Sequence, residues 1–205
     1  MIKILKLSCL AVFGLVAVLP ASRATTIFPL TQDACTGTCG VSPFGTISLV
    51  QTTSTLVTVT ETLAANELFA GSGAGDALEF NVVGPITVDG ITPGFAIGPA
   101  PDSASAFGAF LESVTCTACK GGQVGNPAGP LTFTVTSATG VTISNFIVND
   151  GGFFFAADIV GNNGNTGNVA ANDPSVISSA PEPVSLCLVG AGLIGLGLLR
   201  RRRTA

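Results

Sequence analysis

Six cysteines and twelve carboxylates carry whatever side-chain chemistry this 205-residue chain can perform, because it contains no histidine, tryptophan or tyrosine. Without histidine there is no Ser-His-Asp or Cys-His catalysis and no imidazole metal ligand. No P-loop and no Gly-x-Gly-x-x-Gly stands between a strand and a helix, so no nucleotide cofactor, or any other, is expected. Acid–base hydrolysis of a glycoside needs only two carboxylates, and the body of the chain supplies eleven, but their spacing singles out no pair. The lack of tryptophan and tyrosine also argues against a sugar platform built by aromatic stacking. The expectation is a protein that is not an enzyme, with no catalytic residue and no dedicated metal site.

The cysteines divide by position. Cys9 and Cys187 lie in the terminal apolar stretches, which leaves Cys35 and Cys39 as Cys-Thr-Gly-Thr-Cys and Cys116 and Cys119 as Cys-Thr-Ala-Cys. An even number in an exported domain favours disulfides. Three connectivities are open. Local pairing, Cys35 with Cys39 and Cys116 with Cys119, is the first choice, since each pair is already close and Gly37 permits a tight turn. Cross-pairing would close longer loops and constrain the unfolded chain more. A four-cysteine zinc site would need reduced thiolates, and a redox Cys-x-x-Cys would need a helix start in a βαβ setting. Cys116 instead follows a strand-like run.

Charge is distributed as unevenly as sulfur. Seven of the eight basic residues fall in the first 23 or the last six positions; between Ala24 and Pro181 only Lys120 is basic. Eleven acids against that one base leave this stretch a formal −10. Such a surface repels phosphate backbones, so nucleic acid is not an expected partner. It suits solubility outside the cell, and divalent cations are the sharper alternative.

Residues 1–24 read as a secretory signal peptide. Lys3 and Lys6 precede an apolar core from Leu7 to Leu19, and Pro20 ends it. Ser22 and Ala24 place small residues at −3 and −1 for cleavage after Ala24 by signal peptidase, following export by the general secretion machinery. At the other end Pro181-Glu182-Pro183 leads into an uncharged run, residues 184–199, and then Arg200, Arg201, Arg202 and Arg203. As a helix, that run would reach ~24 Å, short of a ~30 Å hydrocarbon core, and snorkelling arginine stems would cover the difference. The arginines would stay cytoplasmic and the acidic body would face out. Two prolines keep the entry segment extended, the conformation a protease requires.

These three parts in this order resemble the PEP-CTERM sorting signal of Gram-negative bacteria that make extracellular polysaccharide. The resemblance implies recognition and processing by an integral-membrane exosortase near Pro181-Glu182-Pro183. The body would cross the inner membrane, be held there transiently by residues 184–199, and then pass to the cell surface or the medium. An association with exopolysaccharide or biofilm is expected on the same ground. The run from Phe153 to Ala170 also resembles the closing segment of many proteins bearing this signal, and brings no activity with it. The resemblance concerns delivery; a carbohydrate- or calcium-binding module is the alternative role for the delivered body.

To position these residues the sequence offers strands. Residues 25–180 are of single-domain size. Thr and Val alternate in Ser54–Thr60 and Leu131–Thr136, and Leu78, Phe80 and Val82 share one face of Leu78–Val83. Ile86–Val88, Phe107–Cys116, Val141–Val148 and Phe153–Val160 extend the pattern, with Gly- and Pro-rich turns between. About seven or eight strands predict an all-β, antiparallel β-sandwich, flanked by the signal peptide and the C-terminal sorting helix. Glu61–Ala70 fits a short helix or a strand edge. Gly161–Asp173, rich in Gly and Asn, reads as a mobile loop; a calcium loop between Asp158 and Asp173 is its alternative and lacks the run of alternate carboxylates that such loops need.

Overall fold

The computed structural model describes residues 23–71, 75–121 and 125–175. The signal peptide up to Ser22, the Pro181-Glu182-Pro183 motif, the apolar run 184–199 and the four arginines lie outside them. Among the described residues no helix is long and apolar enough to cross a membrane.

Within them the chain is all-β and antiparallel. The strands are β1 (Thr25–Pro29), β2 (Gln32–Asp33), β3 (Gly45–Thr53), β4 (Leu56–Leu63), β5 (Leu68–Phe69), β6 (Leu78–Val82), β7 (Thr87–Asp89) and β8 (Phe95–Ile97). They continue as β9 (Asp102–Ser103), β10 (Ala109–Phe110), β11 (Glu112–Cys116), β12 (Leu131–Thr136), β13 (Phe146–Ile147), β14 (Phe155–Val160) and β15 (Thr166–Ala171). One sheet runs β1-β3-β4-β12-β7; the second runs β2-β15-β14-β6-β11-β8, with β13 added on β6 and β5 on β14. β9 and β10 form a separate two-stranded ribbon.

The first sheet follows from period-two alternation. β4 and β12 pair over Thr132↔Thr60, Phe133↔Val59, Thr134↔Thr58 and Val135↔Val57. Val57, Val59, Phe133 and Val135 therefore line one face, fully buried, while the threonines line the other. Thr60 and Thr132 hydroxyls meet at 3.2 Å across that outer face. Ile47 and Leu49 of β3 join the buried row. Opposite them the second sheet presents Leu78, Phe80, Val114, Phe155, Ile159 and Val169 in the same core cluster. Two antiparallel sheets sharing one apolar core is an arrangement consistent with a β-sandwich. Phe80 stacks on Phe133 from the facing sheet, with ring centroids 5.5 Å apart.

The second sheet is covered on its other face as well. Leu78 to Val82 is buried at all five positions, so alternation there divides two interiors and not inside from outside. The cover is the segment that carries the β9–β10 ribbon and a 3-10 turn at Ser105–Phe107. Phe107 and Phe110 lie with Ala104, Ala156 and Ala170 in a second, smaller core. Small side chains on β14 and β15 make room for these rings. The Asn149 side-chain amide latches the cover by donating to Phe107 O at 2.8 Å, and Asn81 Oδ1 accepts the Leu111 N–H at 2.7 Å.

Several expectations need correction. The strands outnumber the seven or eight expected, because many are two- or three-residue pairings set by tertiary contact. Phe107–Cys116 is not one strand: Gly108, at φ 89°, turns the chain between the 3-10 turn and β10, and β11 begins only at Glu112. Val141–Val148 is mostly a capped turn. The Asn145 side-chain oxygen accepts the Thr142 N–H and hydroxyl, both at 2.8 Å, and only Phe146–Ile147 pairs, with β6. Glu61–Ala70 is neither a helix nor one edge strand, since it finishes β4, turns, and forms β5. Gly161–Asp173 is not simply a loop. Its second half is β15, paired with β14 along all six residues, and its last four positions are buried.

Candidate functional site

Alternation on the outer face of the second sheet gathers oxygen ligands in one place. Glu79 projects there from β6, opposite Leu78 and Phe80 in the chain's pleat. Its direct neighbours across the sheet are Ser113 on β11 and Ala156 on β14. Thr115 follows Ser113 on the same face, and Asp158, paired with Asn168, follows Ala156. Asp76, in the connection before β6, lies over this group, and its carbonyl accepts the Asp158 N–H at 2.9 Å. Asp102 arrives from the covering ribbon, near enough to the Asp76 carboxyl to raise it.

Two of these carboxyls lie almost wholly inside the protein. Glu79 is 1% exposed and Asp76 8%. Glu79 Oε1 accepts the Asp76 N–H at 2.9 Å, while Glu79 Oε2 and Asp76 Oδ2 have no hydrogen-bond partner. Burial, reinforced by the charges of Asp102, Asp76 and Asp158 against one N–H bond, pushes Glu79 up to about 8. Burial also raises Asp76; the Ser113 and Thr115 hydroxyls oppose this and Asp102 adds to it. Two further acids stand apart from the cluster. Glu61 shares the core row of β4 with Val57 and Val59, fully buried with neither oxygen partnered, and burial raises it well above the usual range. Glu67, 1% exposed, is pushed up to about 7 by burial and then by Asp33.

The four body cysteines form the two local bonds. Cys35–Cys39 and Cys116–Cys119 each bring their Cα atoms to 5.4 Å. Asp33 organises the first loop by accepting the Cys35 N–H at 2.8 Å, the Thr38 hydroxyl at 2.6 Å and the Cys39 N–H at 3.0 Å. Burial pushes Asp33 up, but those three donors outweigh it and hold its carboxyl below the ordinary value. Asn163 and Asn165 strap the same loop down by donating to Thr38 O at 2.9 and 2.8 Å. Asp33, Cys35 and Cys39 are the one set of three such ligand types within 4.8 Å among the described residues. They make a poor metal site, because both sulfurs are bonded to each other and the carboxylate is already taken up by donors. Two disulfides fit an oxidising, extracellular environment.

A shallow groove of about 310 Å³ runs beside the cover, lined by Asn81, Pro101, Phe110, Leu111, Ile147 and Asn149 among others. The Asn149 amide is consumed internally: its oxygen also accepts the Gly151 and Phe153 N–H groups. Of the residues singled out from sequence, the four body cysteines, Asp158 on β14 and Asp173 just past β15 are placed, and Ala24 sits just before β1; Ser22 and the sorting-signal residues lie outside the described residues. The acid cluster was not singled out, and the signal for it was faint: a glutamate inside the alternating run Leu78–Val82, and an aspartate inside the apolar run Phe153–Val160.

The molecule is thus an antiparallel β-protein with short-range disulfides and a buried carboxyl cluster. Searches against protein-family models, curated proteins and solved structures each found no match.

Two buried glutamates make stability depend on pH in a definite direction. Glu67 and Glu79 hold protons in the folded chain that an unfolded glutamate releases near its ordinary pKa of about 4.3. Folding is therefore favoured in full below that value and loses stability as pH rises through about 7 and about 8. The domain is expected to be less stable at pH 8.5 than at pH 5 and to melt at a correspondingly lower temperature. Thermal melts followed by circular dichroism check this; a melting temperature that rises with pH would refute protonated Glu67 and Glu79.

Proposed function

We propose that this chain is an exported, non-enzymatic surface or extracellular-matrix protein, delivered through its C-terminal signal and cut there by an exosortase. The observation that carries the reading is the ordered tail: Pro181-Glu182-Pro183, an uncharged apolar run, and Arg200 to Arg203. The two disulfides support the compartment. Confinement of almost all positive charge to the two ends supports the orientation, with the acidic body outside. In the matrix the body serves as a compact β module whose threonine-covered sheet faces polysaccharide and water.

The intact mass of the protein purified from its native host tests the delivery. The expected species begins at Thr25 and ends near Pro181. A variant carrying Pro181→Ala, Glu182→Ala and Pro183→Ala keeps its tail and stays in the membrane fraction. If that variant is trimmed and released like the wild type, the sorting reading is wrong.

A further inference from the structure

We infer that one end of the body is a seat for the bilayer, where Val83, Leu111, Ile147 and Val148 rest among lipid headgroups while the tail is held in the membrane. The inference rests on the delivery proposed above and adds to it the surface that meets the lipid.

Strand registers define that end. In the first sheet it holds the start of β1, where Thr25 pairs with Val50, the turn between Thr53 and Leu56, and the end of β12, where Thr136 pairs with Leu56. In the second sheet it holds the end of β6, the starts of β11 and β14 and the end of β15, because Phe80 pairs with Glu112 and Phe155, and Phe155 with Ala171. Gln51 ties the two sheets together there. Its N–H donates to Ala24 O at 2.9 Å, its side-chain amide donates to Val141 O at 2.9 Å, and its side-chain oxygen accepts the Ile143 N–H at 3.0 Å. Asn145, which closes that turn, accepts the Val83 N–H on its carbonyl at 2.9 Å. A path of hydrogen bonds thus runs from Ala24, where the leader joins, to the end of β6. The antiparallel bridge of Ser175 with Ile27 directs the chain at Ser175 toward Thr25 and the same end.

The exposed aliphatic side chains gather here. Among the described residues six large hydrophobic side chains are exposed, and four of them, 40–56% exposed, are Val83, Leu111, Ile147 and Val148. Ile147 pairs with Asn81, whose Oδ1 accepts the Leu111 N–H at 2.7 Å, and Leu111, Ile147 and Val148 line one open groove. Scattered aliphatic residues on a surface need no partner, but a group of them marks an interaction site.

The length of chain beyond the two ends names the partner. Residues 176–183 separate Ser175 from the uncharged run that starts at Val184, and eight residues reach at most roughly 29 Å when extended. Residues 20–23 separate the apolar core of the leader from Ala24, a reach of roughly 14 Å. The end that carries the aliphatic group is therefore kept close to a bilayer. Charge permits the contact. Arg23 is exposed beside Ala24 and Asp150 lines the groove, so this end carries both signs. Zwitterionic headgroups fit it, whereas a strongly anionic surface is repelled by the acidic body. Four aliphatic side chains at the headgroup boundary orient a tethered body without anchoring it alone, so cutting the tail frees it.

The chain has no tryptophan, so a single introduced one reports its own surroundings. The full chain carrying Ile147→Trp is reconstituted through its tail into phosphatidylcholine vesicles, with or without bromine on the acyl chains. Val41→Trp is the control, since Val41 precedes β3 at the opposite end, where Gly45 pairs with Leu63. Bromine is expected to quench the tryptophan at position 147 at least about twofold more strongly than the one at position 41. Leu111→Trp behaves like Ile147→Trp, and adding Val148→Asp to Ile147→Trp brings its quenching toward the control. Equal quenching at positions 147 and 41, in a chain that floats with the vesicles, overturns the inference and leaves the delivery standing. A chain that does not float with them refutes the delivery and the inference with it. Emission at position 147 that is shifted to the blue but unquenched means that protein, a second copy of the chain, covers the group, and overturns the inference as well.

Discussion

Phe80→Ala lowers the unfolding free energy by about 3–5 kcal/mol, the range for emptying a fully enclosed aromatic site. Phe80 is 0% exposed. Its ring stacks on Phe133 of the facing sheet and lies 6.0 Å from Phe146. Its backbone pairs with Glu112 on one side and with Phe155 on the other. The side chain thus fills the space between two sheets at a strand that cannot move without breaking both pairings. The cavity stays open for that reason, and the penalty is near the top of its range. Urea unfolding followed by circular dichroism measures it, because a chain without tryptophan or tyrosine offers no useful fluorescence. Phe80→Leu, which keeps most of the volume, costs about 1–2 kcal/mol. A loss below 1 kcal/mol for the alanine variant would mean that the two sheets do not meet at Phe80.

The second large effect has the opposite sign. Glu61→Leu stabilises the fold by about 2–4 kcal/mol at pH 7. Glu61 lies between Ile47 and Leu131 in the pairing of β3, β4 and β12. It is fully buried, and both oxygens are without partners. Folding at neutral pH must first protonate it and then strip water from the neutral carboxyl, and no hydrogen bond returns either cost. Leucine has a similar volume and belongs to the row that Val57, Val59 and Leu63 already form. Because the protonation cost vanishes below the ordinary glutamate range, the gain shrinks toward about 1 kcal/mol at pH 4. A gain independent of pH would show that Glu61 is not neutral in the fold. A loss would show that it has a role which the apolar replacement destroys.

What the sequence disclosed depended on whether neighbours in the chain were also neighbours in the sheet. Leu131–Thr136 carries its own instruction, with apolar residues and threonines alternating between two environments, and the strand matches those bounds. Gly45–Thr53 holds a comparable signal in Ile47 and Leu49 against Thr46 and Ser48, and it is legible once its pairing with β4 is known. Thr166–Ala171 carries almost none. Gly, Asn and Ala are poor strand formers, and the segment is a strand because β14 lies beside it and because Phe107 and Phe110 need small residues beneath them. The same cover explains the acid cluster. Alternation in Leu78–Val82 implies that Glu79 faces water, and only a chain segment placed over that face, from residues 99–111, buries it. Local spacing marks out the first sheet; the cover on the second arises from contacts 30 and 42 residues apart and longer. The cysteines lie between these cases. Their spacing made the local bonds the first choice, and those are the bonds the fold contains.

One contact at the rim of the first sheet has a bearing on how the body is carried. The Ser175 N–H donates to Ile27 O at 2.8 Å, which joins the last described residue to β1. The two ends of the described body therefore lie side by side. On the delivery proposed above, a leader and a tail held in one bilayer would suspend the body from one point, with its far pole outermost. Cutting either strap first would leave the presented surface the same, so the order of the two cleavages need not be controlled.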